Sequence, residues 1–233
     1  MKQAPPAASD KPDYLGHRER LRRRLLDAGS DALADYELLE FLLYSARARG
    51  DTKPLAKALL RRFGSLAAVL GASPDALAAV KGMGPASVAA LVAVRAAARE
   101  MLRAEVTNRS VISSWQQLLD YCTARIGFGD AEEFHLLFLD AKNALIADEK
   151  QQHGTVNHTP VYPREVVKRA LELAASAIIM VHNHPSGDVT PSRADIEMTR
   201  TVREAAKAVG ISLHDHLVIG RGRHSSFKNL GLL

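Results

Sequence analysis

Apolar positions recur at helical spacing through the first hundred residues and at strand spacing only beyond them. Leu21, Leu25 and Leu26 form a stripe among five arginines (Arg18, Arg20, Arg22, Arg23, Arg24), which predicts a helix over 17–27. Asp35 reads as an N-cap, with Leu38, Leu39, Leu42 and Leu43 as the next apolar face. Thr52 and Pro54 open a helix that runs to Arg62 and ends at Gly64. A short helix over 65–70 stops at Gly71, another starts at Ser73-Pro74 and ends by Gly82, and an alanine-rich one spans 85–103.

After residue 110 the pattern changes. Ser113 or Ser114 caps a helix that ends at Arg125. Residues 134–139 and 144–151 read as strands around a turn at Ala141-Lys142-Asn143, and 155–162 as a third extended stretch. Pro163 opens a helix whose apolar face is Val166, Val167, Ala170, Leu171 and Ala174. Ala177–Val181 is a short apolar run with β-branched residues, as a buried strand requires. A helix follows from Ser192 to about Val209, then strands at 211–213 and 217–219. The change of pattern predicts a disordered tail over 1–13, an all-helical domain over 14–105 and an α/β domain over 111–233.

Composition narrows the class. The chain of 233 residues is 47% hydrophobic, enough for a real core, and only 5% aromatic, so alanine and leucine do most of the packing. Its single cysteine, Cys122, excludes an intramolecular disulfide and fits a reducing compartment. No apolar h-region lies in the first twelve residues, and no run approaches the ~18 apolar residues that span a bilayer. The expectation is a cytoplasmic protein without a membrane partner. The net charge of +5 is lodged entirely in residues 1–105, with 17 Lys+Arg against 12 Asp+Glu; the remainder is neutral. A basic half suits either a polyanionic partner or a solvated helical surface.

The densest chemistry follows the apolar strand. His182 and His184 lie two apart, so on a strand they share a face. Pro185 ends the strand, Ser186-Gly187-Asp188 is turn chemistry, and Ser192 and Asp195 stand at the start of the next helix. His182, His184 and Asp195 make three ligands of the kind a hydrolytic zinc ion uses, with the fourth position left to water. The bland alternative is a capping box, in which Ser192 caps the helix and Asp195 reaches back to the cap amide. His214 and His216 flank Asp215 beside a strand, where they can orient a ligand or serve as satisfied structural polar groups. Cys122 shares a helix with Leu118 and Leu119 and belongs to the core.

His-x-His, seven residues, Ser, two residues, Asp resembles the JAMM motif of MPN-domain metallopeptidases. The surrounding blocks resemble the RadC family: Gly154-Thr155, Pro163-Arg164-Glu165-Val166, Val181 to Gly187, Pro191-Ser192 and Asp215 to Gly220. Tyr162 stands where relatives often carry histidine. The resemblance implies an MPN/JAMM domain with a mixed sheet and flanking helices, behind a small helix-hairpin-helix domain. It implies one Zn2+ per chain on His182, His184 and Asp195, and a polypeptide substrate. It also implies an upstream glutamate that moves the proton of the attacking water, and Ser192 as donor to the oxyanion. The family pattern favours Glu132 for that role, with Glu133 as rival; strand alternation puts the two on opposite faces, so one alone serves.

In the basic half, Val80-Lys81-Gly82-Met83-Gly84-Pro85 resembles a helix-hairpin-helix turn, which would present Lys81 and the backbone around Gly82 and Gly84 to a phosphate. A plain helix connection uses the same glycines and proline. Three functions follow: a zinc-dependent hydrolase of peptide or isopeptide bonds; a DNA-binding factor of repair or recombination whose metal site is secondary; and a scaffold stabilised by metal.

Overall fold

The computed structural model describes residues 16–107, 110–111, 113–151 and 161–233. The expected tail over 1–13 and most of the expected extended stretch over 155–162 lie outside the described residues; of that stretch Val161 and Tyr162 are described, and they belong to no strand. The chain divides into two compact units. One reaches to Leu70 and takes in Pro74–Ala93; the other is Gly71–Ser73 with Val94–Leu233.

The first unit is helical: α1 (His17–Ala28), α2 (Asp35–Tyr44), α3 (Lys53–Phe63), the short α4 (Leu66–Gly71) and α5 (Pro74–Ala78), and the start of α6 (Pro85–Thr107). The leucine stripes supply its core, with Leu21, Leu39, Leu43, Leu59 and Leu77 at or below 2% exposure. Asp35 is not the cap of α2. Ala34 holds that position, and Glu37 reaches back so that its carboxylate accepts the Ala34 N–H at 3.0 Å, the half of a capping box that needs no hydroxyl. The turn before α6 places Gly82 at φ +95°, a conformation that side-chain-bearing residues avoid.

The second unit is built on one mixed sheet. Its strands are β1 (Phe134–Leu139), β2 (Leu145–Lys150), β3 (Ala177–Asn183), β4 (Ser212–Gly220) and β5 (Arg223–Ser226), in the order β2-β1-β3-β4-β5. Only β3 and β4 are parallel. Helix α9 (Arg193–Ala208) makes the crossover between them that a parallel pair needs. Both faces are covered. Leu137, Leu139, Ile179, Val181, Leu217 and Ile219 pack with α7 (Trp115–Ile126), whose buried residues include Cys122. Phe134, Leu136, Phe138, Ile178 and Met180 pack with α9 and α8 (Pro163–Glu172). A strand covered on both sides is apolar throughout, and every residue of β1 and β3 is buried.

Two further expectations change. Residues 211–213 and 217–219 are not two strands: β4 is continuous through His214-Asp215-His216. The polar triplet is tolerated because Asp215 accepts hydrogen bonds from the His216 and Lys228 amides and the Ser226 hydroxyl. β5, polar and at the edge, carries no periodic signal. In α8, Val166 and Ala170 are buried, whereas Leu171 is 56% exposed and Ala174 lies beyond the helix at φ +51°.

Candidate metal centre

The site lies where β3 ends and α9 begins. His182 is the penultimate residue of β3 and wholly buried; His184 follows the strand, partly exposed. The turn behind them folds the chain back. Gly187 N–H donates to the His184 carbonyl at 2.9 Å, and the Ser225 hydroxyl of β5 holds the Val189 carbonyl at 2.6 Å. Gly220 permits this approach: a Cβ there would lie 2.8 Å from Val189 Cγ1 and 2.9 Å from the Gly187 carbonyl oxygen. The turn delivers Ser192 and Asp195 beside the histidines.

Ser192 and Asp195 do form the capping box. Ser192 Oγ accepts the Asp195 N–H at 3.1 Å, and Asp195 Oδ2 accepts the Ser192 N–H at 2.7 Å. The same bonds aim the carboxylate. Asp195 Oδ1 lies 3.6 Å from His182 Nε2, and Oδ2 lies 3.8 Å from His184 Nε2. Capping and ligation are therefore compatible at Asp195. Burial alone would raise the Asp195 carboxyl pKa; hydrogen bonds and charge from His182, with the Ser192 bonds, hold it well below the usual carboxylate range.

The two imidazoles face one another, with His182 Nε2 and His184 Nε2 3.0 Å apart. Their tautomers follow from their partners. His184 Nδ1 lies 2.6 Å from the Asp188 carbonyl, which only accepts, so Nδ1 carries the hydrogen and Nε2 a lone pair. His182 Nδ1 lies 2.8 Å from His216 Nε2. His216 is wholly buried; burial, then the neighbouring His182, depresses its pKa well below the ordinary value, so it is neutral. Two imidazole nitrogens facing at 3.0 Å need a hydrogen or a cation between them. Donors bound to one zinc at about 2.0–2.1 Å stand about 3.3 Å apart in a tetrahedron, close to the 3.0 to 3.8 Å seen among these side chains. Two imidazoles and one ionised carboxylate at these distances fit a zinc ion.

Glu132 joins this group. One carboxylate oxygen of Glu132 and one ring nitrogen of each of His182 and His184 all lie within 4.8 Å of one another, and Glu132 is exposed. Glu133 points elsewhere: its carboxylate is 3.0 Å from Lys150 Nζ and 3.4 Å from His135 Nε2. The His135 hydrogen bond leads the causes that hold its pKa at about 2, too low for a base at neutral pH. One residue that sequence reasoning passed over positions this segment. Asn183, between the two histidines, accepts the Glu133 N–H at 2.7 Å and donates to the Ala131 carbonyl at 3.1 Å, bracketing Glu132. Its only signal was its place inside the motif.

The candidate residues of the basic half lie in the first unit. Lys81, Gly82 and Gly84 occupy the turn between α5 and α6; Lys81 is exposed, and the Gly82 carbonyl accepts Arg47 Nη1 at 2.9 Å. His214 takes no part in the metal centre: its Nε2 pairs with Asn143 Oδ1 at 2.6 Å. Among the described residues no helix is long and apolar enough to cross a membrane.

A family model described as the RadC-like JAB domain matches residues 112–232, and one described as UPF0758 N-terminal matches residues 14–89.

Proposed function

The chain belongs to the RadC family and carries its MPN/JAB domain, and from that premise we propose that it is a zinc-dependent hydrolase of peptide or isopeptide bonds. The observation that carries the proposal is the pair of facing imidazole nitrogens, 3.0 Å apart, with the Asp195 carboxylate beside them. A zinc ion held by His182, His184 and Asp195 would supply a Lewis acid for the scissile carbonyl and a water of pKa about 7. Glu132 takes the proton that the attacking water loses and returns it to the leaving nitrogen. Ser192 Oγ accepts the Asp195 amide, so its own hydroxyl hydrogen is left to donate to the developing oxyanion. His182 is sealed while His184 is partly exposed, so the substrate enters from the His184 side.

The test is a peptide-library cleavage screen of the zinc-loaded protein against Glu132→Gln. Cleavage by the wild type, lost in a variant that still binds zinc, is the expected outcome. Equal cleavage by both, or none by the zinc-loaded wild type, overturns the proposal. The charge of the N-terminal half supports a second reading, in which that half holds a nucleic acid through Lys81 and the turn around Gly82 and Gly84.

A further inference from the structure

We propose that Thr199 and His216 form a hydrogen-bonded relay that fixes the tautomer of His182 and ties it to the helix carrying Asp195. Two of the three metal ligands are thereby positioned as one unit. The inference rests on the metal site proposed above and concerns what prepares it.

The relay begins at a group that cannot donate. The Asp195 carbonyl oxygen lies 2.5 Å from Thr199 Oγ1, one helical turn later on α9, so the threonine hydroxyl spends its hydrogen there. Thr199 Oγ1 also lies 2.6 Å from His216 Nδ1. With its hydrogen spent, the hydroxyl oxygen accepts, and His216 carries its hydrogen on Nδ1. His216 Nε2 then presents a lone pair to His182 Nδ1 at 2.8 Å, and His182 must donate from Nδ1. That leaves His182 Nε2 as a lone pair aimed into the site.

The alternative tautomer shows what the relay prevents. With its hydrogen on Nε2, His182 would donate to His184 Nε2, and the two imidazoles would close on each other instead of on a metal. That state sets the His182 Nδ1 lone pair against the His216 Nε2 lone pair with no hydrogen between them, in a fully buried place where an unpaired polar atom is costly. A histidine ligand usually donates its second nitrogen to a carboxylate, carbonyl or water. Here the His216 imidazole takes that place.

The fold brings the relay together through one irregularity. Ile178 pairs with Leu213 and Ile179 with Asp215, so His214 is an extra residue in β4. Leu213 packs on the α8 and α9 side of the sheet, and His216, three residues later, lies on that side because of the bulge. Phe227 stacks on His216 at 4.4 Å and Phe134 on His182 at 5.9 Å, which holds both ring planes. Thr199 is 1% exposed.

The test measures zinc affinity of the full chain by competition with a chromophoric chelator, together with the melting of the metal-free protein. Thr199→Val keeps the shape and removes the acceptor; affinity should fall about 10–100-fold. Thr199→Ser, which keeps the hydroxyl, should restore most of it. Unchanged affinity in a folded Thr199→Val overturns the relay, whereas no zinc binding by the wild type overturns the metal site. Ring 15N NMR of the metal-free wild type needs neither variant: His182 and His216 should both be protonated on Nδ1. A hydrogen on Nε2 of His182 would refute the relay even if zinc binds.

Discussion

On one face of β1, His135 lies between Asp148, whose Oδ1 is 2.6 Å from Nδ1, and Glu133, 3.4 Å from Nε2. Asp148 also accepts from the Tyr121 hydroxyl and from Arg125 Nε, and Glu133 pairs with Lys150. On the other face of the sheet, the Nε2 atoms of His182 and His184 face each other beside a carboxylate. Both clusters combine histidine with acidic residues in one sheet unit, the first across β1 and β2 and the second at the end of β3 and the start of α9, and they differ in closure. Around His135 each nitrogen meets a carboxylate, and that network stabilises the unit. Around His182 the hydrogen bonds run away from the centre, to His216 and to the Asp188 carbonyl, and in the tautomers proposed above the inward-facing atoms are all acceptors. A polar cluster that sends its donors outward is built to receive a cation; one that pairs them internally is built to hold strands together.

The strongest way to break this contrast is to remove the inward acceptors. His182→Ala with His184→Ala should abolish zinc binding, read as metal per chain in the purified protein. Zinc content equal to that of the wild type would show that the facing nitrogens are not ligands. Next in size is the comparison of adjacent glutamates. Glu132→Gln should lower hydrolysis about 10²–10⁴-fold, the range for losing a general base, with zinc content and melting temperature kept. Glu133→Gln should do the reverse, lowering the melting temperature through the lost Lys150 and His135 contacts with zinc binding intact. Swapped outcomes would reassign the base.

Why one cluster was readable in the sequence and the other was not is a matter of local spacing. His182, His184, Ser192 and Asp195 stand within one strand-turn-helix, where alternation and helix capping already bring them to one place. β1 was legible end to end because it is apolar at all but one position. His216 was one of two candidates, and nothing local chose between it and His214; the choice depends on a bulge, which is a property of the pairing with β3. Asn183 acts on a segment about fifty residues earlier, and the His135 network joins β1, β2 and α7, so no short window contains either. The cap of α2 was misplaced by one residue because Glu37 does from inside the helix what an N-cap side chain normally does from outside.

The closed cluster makes its own pH prediction. Burial would raise the Asp148 carboxyl, but bonds from His135 and Tyr121 and the charge of Arg125 lower it from 3.8 to about 2. A group depressed on folding contributes stability that is whole above the unfolded value and lost as pH falls through the folded one. The melting temperature should therefore drop between about pH 4 and pH 2. His135 has the opposite sign: burial lowers its pKa, the Asp148 and Glu133 bonds outweigh this and raise it, and its contribution fades as pH rises through the folded value. Asp148→Asn should cost about 3 kcal/mol at neutral pH and flatten the acid limb. An acid limb that keeps its slope in the variant would place the titration elsewhere.

The smallest effect belongs to the basic half, and it sharpens a coarser contrast between a charged helical half and a neutral one. If the turn before α6 holds a phosphate, full-length protein should bind duplex DNA weakly and with a steep loss as salt rises. Lys81 is exposed beside the start of α6, so the lysine and the first amides of that helix are the donors that would meet a phosphate. Lys81→Gln should then weaken binding uniformly across sequences and reduce the slope of log K against log salt by about one. A slope unchanged by the substitution would remove Lys81 from any interface, and no binding at low salt would leave the +5 of residues 1–105 as a solvated surface.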